Sequence, residues 1–117
     1  MTPRTSDGLS NLEYHVLLSL AQGSLYGYAI ADSVESESAG TLTPRAGSLY
    51  RVLARLMTWG LVTEVQSLES DAPHPGLARK YYGLTAKGRE SLAVEARRLK
   101  GTAALAEQRL RLGEGRT

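Results

Sequence analysis

Leu49, Val52, Leu53 and Leu56 recur at the i, i+3, i+4, i+7 spacing, while Ser48, Arg51, Arg55 and Thr58 fill the opposite face. That pattern predicts an amphipathic helix over about 45–59. Thr43 is placed to cap it with Pro44 at the first helical position, and Gly60 suits the residue just past its end. Upstream, Val16, Leu17, Leu20 and Ala21 mark a helix over about 11–21. Ser10 and Glu13 have the spacing of a capping box, Leu9 and Tyr14 that of a hydrophobic staple, and Gly23 ends the helix. A second helix over about 27–38 turns Ile30, Ala31 and Val34 inward and Asp32, Ser33, Glu35 and Ser36 mostly outward, closing at Gly40.

Beyond Gly60 the period changes. "LVTEVQ" (61–66) is β-branched and alternating, a strand pattern, and "RKYYGL" (79–84) answers it as an antiparallel partner across the Pro/Gly-bearing loop 67–78. "TLTP" leaves room for a very short strand at Thr41–Leu42. Thr85 caps a last helix over about 86–112, along which Leu92, Ala96, Leu99, Ala103, Ala106 and Leu110 keep a 4-3-4-3-4 spacing. The compact domain already ends near Leu84, so this narrow seam is expected to meet a partner helix and form a dimer interface. Three helices followed by a two-stranded ribbon is the order of a winged helix-turn-helix. The expected class is mainly α (α+β). Its divisions are a flexible tail at 1–8, a winged domain at 9–85, a dimerisation helix at 86–112 and a second tail at 113–117.

Composition narrows the chemistry. A chain of 117 residues fits one domain with one long extra element, and with no Phe its core rests on Leu, Val, Ala and Tyr. No Cys is present, which excludes disulfides, thiolate metal sites and a Cys nucleophile. Residues 1–8 lack the apolar stretch of a signal peptide and no apolar run reaches membrane-spanning length, so a cytoplasmic protein is expected. The net charge of +2 is small, but its distribution is uneven. No Asp or Glu lies between Glu37 and Glu64, a stretch that carries Arg45, Arg51 and Arg55.

That face of the third helix is the leading candidate site. Arg51 and Arg55 have no acid within helical reach, and Arg45 and Ser48 lie at the end that would enter a groove. A guanidinium fork suits guanine O6 and N7, and also phosphate. Tyr50 lies beside the apolar stripe, where it either half-buries as core or reaches a phosphate with its hydroxyl. Gly47 serves either a turn before the helix or a close approach of backbone to phosphate. Arg79 and Lys80, interleaved with Tyr81 and Tyr82, form a second basic site on the ribbon. His15 and His74 have no ligand spacing, so no metal site is expected. Neither a nucleophile motif nor a phosphate loop occurs, so neither enzyme nor cofactor is expected.

The segments "LSNLEYHVLLSLAQGSLYGYAI", "GSLYRVLARLMTWGLV" and "RKYYGLTAKGRESL" together resemble the PadR-like transcriptional regulators over about residues 9–92. The resemblance implies a dimeric winged-helix repressor that binds a near-palindromic DNA operator, pairs through its C-terminal helix and in many members answers a small-molecule effector. By position it places Ser48, Tyr50 and Arg51 in the recognition helix, Tyr26, Gly27 and Tyr28 at the turn before the second helix, and Arg79 and Lys80 at the base of the wing. Four features depart from the family pattern. Tyr26 stands where many members have histidine, Met57-Thr58-Trp59 replaces an acidic helix end, and Glu69 and Asp71 in the wing turn would be repelled by phosphate. The C-terminal helix is short and has no aromatic, so it offers no aromatic-lined effector pocket at the dimer interface.

The expected function is that of a sequence-specific regulator using Arg45, Ser48, Tyr50, Arg51, Arg55, Arg79, Lys80, Tyr26 and Tyr28 on double-stranded DNA. The rival is a winged-helix module whose third helix docks an acidic protein.

Overall fold

The computed structural model describes residues 8–66 and 80–114. Four helices and three short strands follow one another: α1 (Asn11–Ser19), β1 (Leu25–Tyr26), α2 (Gly27–Glu37), α3 (Ala46–Thr58), β2 (Val62–Val65), β3 (Tyr81–Leu84) and α4 (Ala86–Glu114). This is a winged helix-turn-helix with a long C-terminal helix. The expected loop at 67–78 lies outside the described residues, as does the start of the strand expected from 79.

α1 begins where its capping box requires. The Glu13 amide donates to Ser10 Oγ at 3.1 Å and the Ser10 amide to Glu13 Oε1 at 2.8 Å, satisfying two backbone donors reciprocally. α3 ends in a closed turn at Gly60, whose φ is +76°. The Leu61 amide reaches back to the Leu56 carbonyl at 2.9 Å and the Gly60 amide to Met57 at 3.0 Å. This double bond pattern needs a left-handed residue at position 60 and so selects glycine. The apolar stripe of α3 forms the floor of the core: Leu49, Val52, Leu53 and Leu56 are all buried, with Val16, Leu17, Leu20, Ile30 and Val34 packed above them.

Two local expectations are corrected. Thr41–Leu42 is not a strand; it is a turn in which the Leu42 amide donates to Ser38 Oγ at 3.0 Å. The third strand is Leu25–Tyr26, paired antiparallel to β3 in the register Leu25↔Tyr82 and Tyr26↔Tyr81, so the sheet order is β1-β3-β2. β3 would otherwise present one edge of unpaired backbone groups, and the extended residues entering α2 cover it. The N-cap of α3 is Arg45 rather than Thr43, so Pro44 stands outside the helix.

α4 docks only by its beginning. Thr85 Oγ1 accepts the Gly88 amide at 2.9 Å and donates to the Gly60 carbonyl at 2.6 Å, tying the helix start to the end of α3. The Gly88 Cα sits against the Leu61 carbonyl oxygen so closely that a Cβ would collide with it. Leu92 packs on the core and Glu95 is buried, but from Arg97 onward every described residue of the helix is exposed.

Candidate nucleic-acid interface

α3 lies on the core by its apolar stripe, which leaves Arg45, Ala46, Gly47, Tyr50, Arg51, Ala54 and Arg55 exposed and Ser48 half-buried. Its first turn contains no acidic residue, and Arg45 supplies no side-chain cap. The helix therefore presents its opening amide groups and the positive end of its dipole at the surface. Gly47 is helical, and a Cβ there would meet nothing within 4 Å, so no packing requirement of the fold explains it. Among the described residues Arg45 and Arg51 meet no acidic partner.

Arg55 is different. Its Nε donates to Glu13 Oε2 at 2.9 Å, and its guanidinium lies 5.7 Å from the centroid of the Trp59 ring. The expectation of an arginine without an acid holds within α3 but fails in three dimensions. The carboxylate arrives from α1, 42 positions away in the chain, and is itself only 3% exposed. No local spacing signals such a pair.

The second helix meets the third through tyrosine. The Tyr50 hydroxyl rests where a Cβ of residue 27 would lie, so Gly27 makes room for it. Tyr50 is thus half-exposed at the junction of α2 and α3, with its hydroxyl end packed on Gly27. Tyr28, on the first turn of α2, is 73% exposed. Tyr26 is half-buried in β1 and meets Tyr81 edge to face at 5.7 Å. α2 also begins without a side-chain cap or an acid in its first turn. Tyr82 closes the layer beneath. Burial, and then the neighbouring Tyr50 and Glu64, push its hydroxyl above the ordinary tyrosine value, so it is a neutral phenol anchoring the sheet.

On the ribbon, Lys80 Nζ stands 3.5 Å from Glu64 Oε2, both side chains mostly solvated, a contact worth little in water. Arg79, Glu69, Asp71 and His74 lie outside the described residues. Among the described residues no group of three or more His, Asp or Glu could hold a metal ion, and no helix is long and apolar enough to cross a membrane.

Of the seam residues, Leu92 and Ala96 are half-buried on their own domain, while Leu99, Ala103, Ala106 and Leu110 are exposed. The sequence seam therefore divides: its first turn belongs to the monomer and the rest remains open.

Residues 16–94 match the transcriptional regulator PadR-like family. The chain belongs to that family. PadR-like proteins are regulators of transcription and not enzymes. Among solved structures, a PadR family regulator from hypervirulent Clostridium difficile aligns over 86% of this chain and 99% of its own. The TM-score is 0.71 at 24% identity, a likeness of fold. A PadR-like transcription factor from Bacteroides fragilis aligns over 83% of this chain and 87% of its own, with TM-score 0.66 and 28% identity. Bacillus subtilis PadR, whose structure is a complex with operator DNA, aligns over 72% of this chain and 45% of its own with TM-score 0.59 and 26% identity. An uncharacterized 37.1 kDa protein of a Streptomyces fradiae transposon is 41% identical over 81 residues, 69% of this chain. The match spans about a fifth of that relative's length (21%).

Proposed function

We propose that this PadR-like chain is a sequence-specific DNA-binding regulator that acts in the cytoplasm as a homodimeric repressor on a near-palindromic operator. The observation that carries this reading is the exposed N-terminal half of α3, which joins Arg45, Ser48, Tyr50 and Arg51 around an uncapped helix start whose first turn holds no acid. Arg51 and Ser48 read base edges in the major groove, where a guanidinium can hold guanine O6 and N7 together. Arg45 and the first-turn amides of α3 take phosphate, as do Tyr28 and Tyr50 beside the start of α2. Tyr26 supports this corner from β1, and the basic side chains of Lys80 and Arg79 take phosphate from the DNA backbone. Arg55, held by Glu13, is left out of this set. Residues 9–85 form the reading domain and 86–112 the dimerisation helix, its open seam at Leu99, Ala103, Ala106 and Leu110 completed by a second copy. Two reading heads at fixed spacing match two half-sites.

Selection of bound sequences from a random double-stranded DNA pool, followed by titration across a salt series, tests the reading. The expected outcome is an enriched inverted repeat whose log affinity falls linearly with log salt. Failure to retain any DNA at low salt, with capture of an acidic polypeptide by the same face, establishes a protein-docking module instead.

A further inference from the structure

Among the described residues Arg45 and Arg51, at and within α3, meet no acid and Arg55 does, and the exception is built rather than incidental. Both oxygens of the Glu13 carboxylate are committed: Oε1 accepts the Ser10 amide at 2.8 Å and Oε2 accepts Arg55 Nε at 2.9 Å. The carboxylate is buried to within 3% of complete, while the Arg55 side chain remains 42% exposed. The Trp59 ring beneath the guanidinium holds its face as Glu13 holds its edge. Trp59 itself packs on the core. A solvated arginine at this position, one helical turn from Arg51 and on the same polar face, would be free to take any phosphate within reach.

We propose that Glu13 is a specificity-determining positioning residue: it withholds Arg55 from the DNA backbone, so that α3 engages DNA through Arg45, Ser48 and Arg51 and not through an additional contact that carries no sequence information. The inference rests on the DNA-binding reading above. Phosphate contacts raise affinity for operator and random DNA alike, so a withheld contact improves the ratio between them. α1 is thereby more than a packing element. Its first turn sets the charge of the recognition helix, using an acid that also caps its own start.

The test uses Glu13→Gln in the full chain. Glutamine preserves the capping box, since its amide oxygen still accepts the Ser10 N–H, but carries no charge to hold Arg55. Binding of operator and random duplexes is measured across a salt series for the wild type, Glu13→Gln and the double variant Glu13→Gln/Arg55→Gln. The double variant avoids leaving a buried carboxylate unpaired. The expected result for Glu13→Gln is a log–log salt slope steeper by about 0.9 for each additional phosphate that Arg55 neutralises. Random-DNA affinity should rise about 5- to 10-fold for each such phosphate at 0.1 M salt, with a lower operator-to-random ratio. The double variant should return to the wild-type slope. Ser10→Ala loosens the start of α1 without freeing Arg55 and should leave the slope unchanged, which separates charge release from mere loosening. An unchanged slope in Glu13→Gln overturns the proposal, and so does a double variant with a slope shallower than wild type, which would mean that Arg55 already touches phosphate. If the wild type itself binds no DNA, the functional reading fails before this one is reached.

Discussion

Arg51 is the residue on which sequence and structure agree most closely: the helical period puts it opposite the stripe, and the fold leaves it exposed and without an acidic partner among the described residues. Arg51→Ala should weaken operator binding by about 1–3 kcal/mol and relax the preference at one base position per half-site, as competition with single-base variants of the operator would show. A uniform loss across all sequences would make it a phosphate contact instead. Ala39 is a residue that no pattern singled out. It closes α2 with φ +52°, donating to Ser36 O at 3.2 Å while the Gly40 amide donates to Glu35 O at 2.9 Å. That left-handed position costs an L-residue about 1–2 kcal/mol, a cost glycine lacks. Ala39→Gly should therefore stabilise the fold by about 1 kcal/mol in urea unfolding, even after the larger entropy of an unfolded glycine is counted. A lower midpoint would show that the strain is relieved in some other way.

Among the elements, α4 depends on how its first two turns are seated. Gly88 lies against the Leu61 carbonyl, and backbone cannot swing aside as a side-chain tip can. Gly88→Ala adds about 1 kcal/mol of helix propensity but forces the helix off the β2 entry, so a net destabilisation of about 1–3 kcal/mol is expected by thermal or urea unfolding. An unchanged or raised midpoint would mean that α4 docks less tightly than the geometry requires. One turn beyond the docked stretch, Arg98 Nε donates to Glu95 Oε1 at 3.0 Å. This hydrogen-bonded guanidinium holds the buried Glu95 carboxyl below its ordinary value, against the opposing push of burial. Between the folded and unfolded values the unfolded chain binds more protons, so this stabilisation is complete above about pH 4.5 and is lost as the pH falls through the folded value. Glu95→Gln should flatten part of the acid-side fall in melting temperature. If variant and wild type lose stability in parallel below pH 4.5, the pair contributes nothing to acid sensitivity.

For the whole molecule, the decisive feature is that α4 runs out of its own domain to pack on. Leu99 is 38% exposed and Leu110 68% exposed on a helix of 29 residues, about 43 Å long. In the proposed dimer these side chains meet a second copy, and the small alanines between them permit close approach. Leu99→Glu removes about 1.5–3 kcal/mol of burial per protomer and places an unpaired charge in the seam. Sedimentation should find a folded monomer that has lost palindrome binding and retains weak, salt-sensitive half-site binding, because the second contact is no longer intramolecular. A dimer of undiminished stability would locate the interface outside this seam.

The four helices, the β2–β3 pair, the capping box and the buried stripe of α3 were all legible in the chain, because each rests on side chains within four positions or on strict alternation. Local order also carried the family resemblance and the placing of Arg45, Ser48, Tyr50 and Arg51 on one helix. Contacts between distant segments were not legible. The short strand belongs to Leu25–Tyr26 rather than Thr41–Leu42 because β3 had an edge to cover, a demand that exists only once the sheet has formed. Gly27 is explained by the Tyr50 ring and Gly88 by the Leu61 carbonyl, neighbours brought there by packing. The pairing of Arg55 with Glu13 belongs to the same class, since Coulomb attraction acts through space while a helical spacing rule looks only along one helix. Which residues share the polar face of α3 was thus written locally. Which of them stay without an acidic partner among the described residues was decided by the packing of α1 against α3.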